Sequence, residues 1–268
     1  MTEDELILTH ILKCPRIDLY LHPPKLTFEQ ESRFNDIRKR RADGEPLQYI
    51  LGESEFMGIP LKVDSRVLIP RPETELLVEM ALKEMENFPV QDNVLHALDI
   101  GSGSGNIPIA LLKHNAKWRM VSVDISKDAL ELARENSAQQ GVLAGIKFIE
   151  ADALSWLNAS NPYQKYFSLV ISNPPYVTAE GLNNLPVDVQ KEPKLALDGG
   201  ENGLRFYEHI IANAEYVLKP GGWIFMEIGE TQGKSLENLL TRQGSFVNIA
   251  VAKDYNQRDR IVKAQLKL

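Results

Sequence analysis

From about residue 93 the chain alternates short apolar runs with segments of helical character. VLHALDI, WRMVSVDI, IKFIEAD, FSLVISN and GGWIFMEIG are the apolar runs, and helical stretches separate most of them. One such stretch, SKDALELARENSAQQ, opens on Ser126, a helix-capping residue. Strands alternating with helices predict an α/β domain on a parallel, doubly wound sheet, which collects ligands at the carboxyl ends of its strands. The last two runs, SFVNIAVAKD and RDRIVKAQLKL, have no helix between them and read as a closing antiparallel pair. Chemistry is therefore to be sought at the strand tips.

The preceding sequence is organised differently. Residues 1–45 read as short helices: Thr2 with Glu5 and Thr27 with Gln30 have capping-box spacing, and Pro15 and Gly44 are stop signals. The second helix, about 28–42, ends in Arg38–Arg41. Those cations either complement the helix dipole on a solvated end or contact RNA or an acidic partner. SEFMGIPLKV alternates around Gly58 like a hairpin. PETELLVEMALKEM carries Leu76, Leu77, Met80 and Ala81 at helical spacing, with Pro72 near its first turn. The expected division is a helical domain with a hairpin over residues 1–71, a linking helix over 72–92 and the sheet domain over 93–268. Residues 177–202, rich in Pro, Asn and Gly, are too long for an ordinary connection and read as a lid.

Composition narrows the class. The 268 residues are 43% hydrophobic and 25% charged, an ordinary globular balance. A net charge of −7 argues against unaided, non-specific binding to nucleic-acid phosphates. No run approaches a membrane span, and the opening MTEDELILTHIL is acidic where a secretory signal is basic. The single Cys14 can form no internal disulfide and reads as a packing thiol, so the expected compartment is the cytoplasm. The histidines show no ligand spacing, and no metal site is expected.

The first strand ends in LDIGSGSGNIPIA. Gly101, Gly103 and Gly105, with Ser102 and Ser104 between them, permit a tight turn and close approach of a ligand to the backbone. A dinucleotide fingerprint would need a glycine where Asn106 stands, so pyrophosphate binding is disfavoured. The next strand ends in Asp124, placed to accept hydrogen bonds from both ribose hydroxyls or to cap the following helix, for which Ser126 is the better cap. Asp152, at the third tip, suits an adenine amino group or a plain turn. Asp99 faces a ligand ammonium or accepts from glycine-loop amides. Acids at three tips plus this turn favour a nucleoside-type ligand without a diphosphate, and S-adenosylmethionine fits.

The fourth tip is Asn173, Pro174, Pro175 and Tyr176. Two prolines hold the chain rigid and lack N–H groups, leaving carbonyls free as acceptors. The set suits a planar –NH2 group: its hydrogens meet the Asn173 side-chain oxygen and the Pro174 carbonyl, and Tyr176 packs on its plane. Bonding both hydrogens aims the nitrogen lone pair at a sulfonium methyl, so positioning rather than a strong base does the work. A proline turn closing a strand is the plainer reading.

DIGSGSG followed by SNPPY resembles class I S-adenosylmethionine-dependent methyltransferases acting on planar nitrogens, which include nucleic-acid amino-methyltransferases and protein glutamine methyltransferases. The flanks choose between them. RRADGEPLQYILGESEFMGIPLKVDSRVLIPRPETELLVE, EPKLALDGGENGLRFYEHI, LKPGGWIFMEIGETQG and RDRIV are similar to the peptide chain release factor N5-glutamine methyltransferases of the HemK/PrmC type. The likeness runs from about residue 40 to the end; the extreme N-terminus shares only IDLYLHPP. The resemblance implies a Rossmann-like sheet with an antiparallel closing strand and an N-terminal helical domain that docks the substrate. It implies methylation of the glutamine of the Gly-Gly-Gln motif in class I release factors, with S-adenosyl-L-homocysteine as the second product. On matching positions, Gly101 to Gly105 and Asp124 would bind the cofactor, Asp152 and Ala153 would lie by the adenine, and Asn173 to Tyr176 would hold the amide. Two departures are Asn106 with Pro108 after the glycine turn, and DYNQRDR, which lacks the usual glycine before Asp-Arg. A nucleic-acid amino-methyltransferase, acting on adenine N6 or a similar group, is the alternative, and the net charge counts against it. Glu227 either helps order the site or merely ends a strand, and Arg71 with Glu73 suggests an interdomain ion pair and a helix start.

Overall fold

The computed structural model describes residues 2–86, 88–89 and 93–268. Helices α1 (Glu3–Leu12), α2 (Arg16–Leu21), α3 (Phe28–Ala42) and α4 (Leu47–Leu51) come first. Both capping boxes form: the Thr2 and Thr27 hydroxyls accept from the Glu5 and Gln30 amides, and those side chains accept from the capping residues' amides. Ile7, Ile37 and Leu47 are the buried heart of this unit, with Leu6, Ile11, Phe34, Ile50 and Leu51 packed around them. The arginines ending α3 are engaged: Arg38 with Asp4 at 3.5 Å, Arg40 with Glu45 at 2.6 Å, and Arg41 with Glu3 at 3.0 Å and Asp188 at 3.2 Å. These pairs, added to the helix dipole, account for the cluster as a helix end.

A hairpin of β1 (Glu53–Phe56) and β2 (Ile59–Lys62) follows, with Met57 and Gly58 both at positive φ, as a tight two-residue turn demands. Its apolar residues Phe56, Ile59 and Leu61 join the core of the sheet domain. Helix α5 (Pro72–Met85) does the same, burying Thr74, Leu77, Val78, Ala81 and Met85. That stripe is rotated from the one expected: Leu76 and Met80 sit half-buried at its margin. The helix stops at Met85, and Asn87 and residues 90–92 of the expected linker lie outside the described residues.

The remaining elements are β3 (Leu95–Ile100), α6 (Asn106–His114), β4 (Trp118–Asp124), α7 (Lys127–Gln139), β5 (Ile146–Glu150), α8 (Ala153–Trp156), β6 (Phe167–Ser172), α9 (Arg205–Val217), β7 (Leu218–Glu227), α10 (Gly233–Gln243), β8 (Phe246–Lys253) and β9 (Asp259–Leu266). Among the described residues, seven strands form one sheet in the order β5-β4-β3-β6-β7-β9-β8. Its first five strands are parallel, and β9 and β8 close it antiparallel. Side chains alternate between faces with period two. Ala97, Leu169 and Phe225 face a core shared with α5, α6 and the hairpin, and Leu98, Val170 and Ile224 face one shared with α9 and α10. A sheet buried on both faces gives continuous apolar runs, as the sequence has.

Both departures from the family pattern are accommodated. Pro108 falls in the first turn of α6, where its missing N–H would find no helical partner anyway. In the β8–β9 turn Gln257 takes the left-handed conformation, and Asp254 Oδ1 accepts from the Asn256 and Arg258 amides at 2.8 and 3.1 Å.

Residues 177–202, expected as a lid, form a strap fastened at several points. Val177 pairs with Asp198, Val177 donates to Leu197 O at 2.9 Å, and Gly199 donates to Val177 O at 2.8 Å. Midway, the buried carboxylate of Glu192 accepts from the Ile69 amide at 2.9 Å and pairs with Arg71, while Asp188 holds Arg41 of α3. The partner of Arg71 is thus Glu192 of the strap, not Glu73 on its own helix.

Because Phe56 is fully buried in the sheet-domain core, Phe56→Ala should lower the urea-unfolding free energy by about 3 to 5 kcal/mol. Phe28→Ala, at a side chain 89% exposed, should leave it nearly unchanged.

Candidate functional site

The carboxyl ends of β3, β4, β5 and β6 open into one cleft. Its wall includes Gly101, Ser102, Gly103, Ser104, Asp124, Asp152, Ala153, Asn173, Pro174 and Pro175. Arg71 and Thr74 close it from α5, and Leu195 and Ala196 from the strap.

The glycine turn is built by left-handed φ values at Gly101, Gly103 and Gly105, of 77°, 53° and 80°. Each glycine has its own reason. A Cβ on Gly105 would stand 3.2 Å from Ala133 Cβ, so this glycine lets α6 lie close to α7. A Cβ on Gly103 would meet nothing within 4 Å, so that backbone faces open space. Asp124 ties the turn to the second tip: Oδ2 accepts from the Gly103 amide and Oδ1 from the Ser126 amide, both at 2.9 Å. Ser126, not Asp124, caps α7 through the Ala129 amide at 3.2 Å. Burial raises the Asp124 pKa against those amide bonds. Asp152 caps α8 through the Leu154 amide at 3.0 Å while lining the cleft, so the turn role and the wall position coexist. Ile125, 48% exposed, adds an apolar face beside Asp124.

Asp99 behaves differently from its neighbours. It shares the face of Ala97, is fully buried, and does not line the cleft. Neither carboxylate oxygen has a hydrogen-bond partner among the described residues, so the glycine-loop amides do not satisfy it; Gly103 bonds Asp124 instead. Burial pushes its carboxyl up to about 7, against a partial pull from Ser102 and Ser122, whose own hydroxyls are also without hydrogen-bond partners.

At the fourth tip Asn173 Nδ2 donates to Thr74 Oγ1 at 3.0 Å, and Thr74 donates to Glu227 Oε2 at 2.6 Å. Asn173 Oδ1 is left available on a residue of the cleft wall. The Pro174 carbonyl accepts no hydrogen bond from the described residues. Tyr176 does not line the cleft; its hydroxyl donates to Glu227 Oε1 at 3.4 Å, and its ring lies against Gly229. Glu227 is fully buried, and desolvation pushes its carboxyl up to about 7 against the pull of Thr74 and Arg260. Sequence reasoning left Glu227 open and missed Thr74 and Glu192. Thr74 could have been suspected as a polar residue on the buried stripe of an apolar helix; nothing local marks Glu192.

The donor set fits an adenosine-type group. It offers two half-engaged carboxylate oxygens at Asp124, an unobstructed glycine backbone at Gly103, and apolar walls at Ile125 and Leu154. Among the described residues, no cluster of His, Cys, Asp or Glu could hold a metal ion, and no helix is long and apolar enough to cross a membrane.

Residues 91–260 match a family described as a methyltransferase domain, and residues 2–52 match the PrmC N-terminal domain. The release factor glutamine methyltransferase of Thermodesulfovibrio yellowstonii is 38% identical over 98% of this chain and 91% of its own length. Its counterpart from Bacillus anthracis is 37% identical over 98% and 92%. Among solved structures, the hMettl16 catalytic domain in complex with the MAT2A 3′UTR hairpin 6 matches with a TM-score of 0.63 at 14% identity, covering 96% of this chain and 91% of that one. At that identity the likeness is one of fold.

Glu227 binds a proton in the folded state that the unfolded chain releases above its ordinary pKa of 4.5. Its stabilising contribution is complete below 4.5 and is lost as pH rises through about 7. Urea unfolding of the wild type and of Glu227→Gln should therefore give similar stabilities at pH 5. At pH 8 the variant should be the more stable, by on the order of 1 to 3 kcal/mol.

Proposed function

The chain belongs to the release factor glutamine methyltransferases, and from that membership we propose its full reaction: methyl transfer from S-adenosylmethionine to N5 of the glutamine in the Gly-Gly-Gln motif of class I peptide chain release factors. The observation that carries the reading is the amide of Asn173, whose nitrogen is engaged by Thr74 while its oxygen is left for a ligand. That oxygen and the Pro174 carbonyl, one a side chain oriented by Thr74 and the other on the rigid Pro-Pro backbone, are two acceptors matched to the two hydrogens of a primary amide.

Gly101 to Gly105 and Asp124 would hold the cofactor, Asp124 through its ribose, and Asp152 and Ala153 would lie by its adenine. When bound, S-adenosylmethionine would supply an electrophilic methyl, the amide nitrogen forming the N–C bond as sulfur keeps the S–C pair to give S-adenosyl-L-homocysteine and one N–H proton passes to solvent. The chain contributes positioning. Holding both N–H bonds fixes the plane and distance of a weakly nucleophilic nitrogen, which substitutes for a strong base. Tyr176 supports the clamp through Glu227; its ring, expected to pack on the amide, stands outside the cleft wall. Of residues 1–71, expected as the docking unit, helices α1 to α4 serve docking, while the hairpin and α5 of the expected link pack into the core of the catalytic domain, which works in the cytoplasm. The ion pairs of Arg38, Arg40 and Arg41 with Asp4, Glu3, Glu45 and Asp188 count against a nucleic-acid contact at that helix end.

With methyl-labelled cofactor, a release factor should be labelled and its Gly-Gly-Ala variant should not. Equal labelling of the two would end the assignment. Asn173→Ala should lose at least about a hundredfold in transfer rate while cofactor binding, followed by calorimetry, is largely kept.

A further inference from the structure

An asparagine clamp works in only one of two orientations. With Oδ1 toward the substrate it accepts from an amide N–H; turned over, it points two N–H bonds at another two, and the contact is lost. Something must therefore choose the orientation. The side chain that touches the amide from behind is Thr74, 1% exposed on α5, whose hydroxyl accepts from Asn173 Nδ2 at 3.0 Å. Its own proton goes to Glu227 Oε2 at 2.6 Å. A carboxylate is acceptor-only, so it claims that proton and leaves Thr74 nothing but lone pairs to offer Asn173. Lone pairs select Nδ2 and refuse Oδ1.

Resting on the methyl-transfer reading above, we infer that Thr74, backed by Glu227, is the positioning residue that fixes the amide orientation of Asn173. Glu227 is itself held. The Tyr207 hydroxyl donates to its backbone carbonyl at 2.7 Å, and the Tyr176 hydroxyl reaches its other carboxylate oxygen at 3.4 Å. The selection belongs to the ionised carboxylate: a protonated Glu227 would donate to Thr74 and free the Thr74 proton for Asn173 Oδ1. The chain joins α5, the tip of β6 and the tip of β7. It gives the segment IPRPETE a role distinct from cofactor contact.

Thr74→Val keeps the shape and removes the hydroxyl. In the release-factor assay with the full chain it should lower kcat by about ten- to a hundredfold. The KM for S-adenosylmethionine should stay within about threefold, and Thr74→Ser should recover most of the lost kcat. The decisive arm is a double-mutant cycle: in an Asn173→Ala background Thr74→Val should cost nothing more, because no amide remains to orient. Should Thr74→Val fail to fold, Thr74→Ala puts the same question to the hydroxyl. A wild-type kcat in the hydroxyl-free variant, an additive loss in the double mutant, or a serine variant as poor as the valine one would each overturn the inference. Absence of transfer by the wild-type chain is a different result, and would overturn the functional reading together with this inference.

Discussion

The parallel pairing of β3 with β6 is the contact on which the site depends. Their register sets Ile100 opposite Ser172, and the Ser172 hydroxyl donates to the Ile100 carbonyl at 2.7 Å. The next residue on each strand is then Gly101 and Asn173, close enough that a Cβ on the glycine would stand 3.8 Å from the asparagine carbonyl. Because the strands run the same way, both tips leave the sheet on the same side, and β4 adds Asp124 from the next position. Three chemistries far apart in the chain are assembled by backbone pairing alone. A one-residue slip would turn every side chain of the strand to the other face.

Much of this was legible in the sequence because it is local. Strand runs, both capping boxes, Ser126 as a cap and the hairpin around Gly58 are set by neighbours within a few residues. The strand tips could be read because parallel topology assigns them a common end before any side chain is placed. Partners across long separations could not be read. Nothing near Arg71 says that its carboxylate is Glu192, and nothing near Thr74 says that it faces both Asn173 and Glu227. On α5 the expected Leu77 and Ala81 are buried while Leu76 and Met80 lie at the margin, because the buried side is chosen by the sheet it covers.

The strap shows anchorage that composition does not reveal. Pro, Asn and Gly suggested a movable cover. A single buried carboxylate at Glu192, bonded on one side to the Ile69 amide and on the other to Arg71, supplies the anchorage that composition lacks. Asp188 extends that anchorage to α3. The N-terminal helices are thereby connected to the rim of the cleft through side chains as well as through the chain itself.

The rigid Pro174–Pro175 backbone has an effect on what happens after the reaction. An acceptor pair held at fixed spacing cannot adjust to a changed guest. A primary amide brings two N–H bonds to it; once one hydrogen has been replaced by a methyl, only one remains, and an acceptor is left facing a carbon. The loss of one hydrogen bond of this kind weakens holding by about 1 kcal/mol, some fivefold, before any crowding by the new methyl is counted. On the clamp reading proposed above, the feature that grips the unmodified side chain would hold the modified one less tightly, and the same stiffness would disfavour a second transfer to that nitrogen.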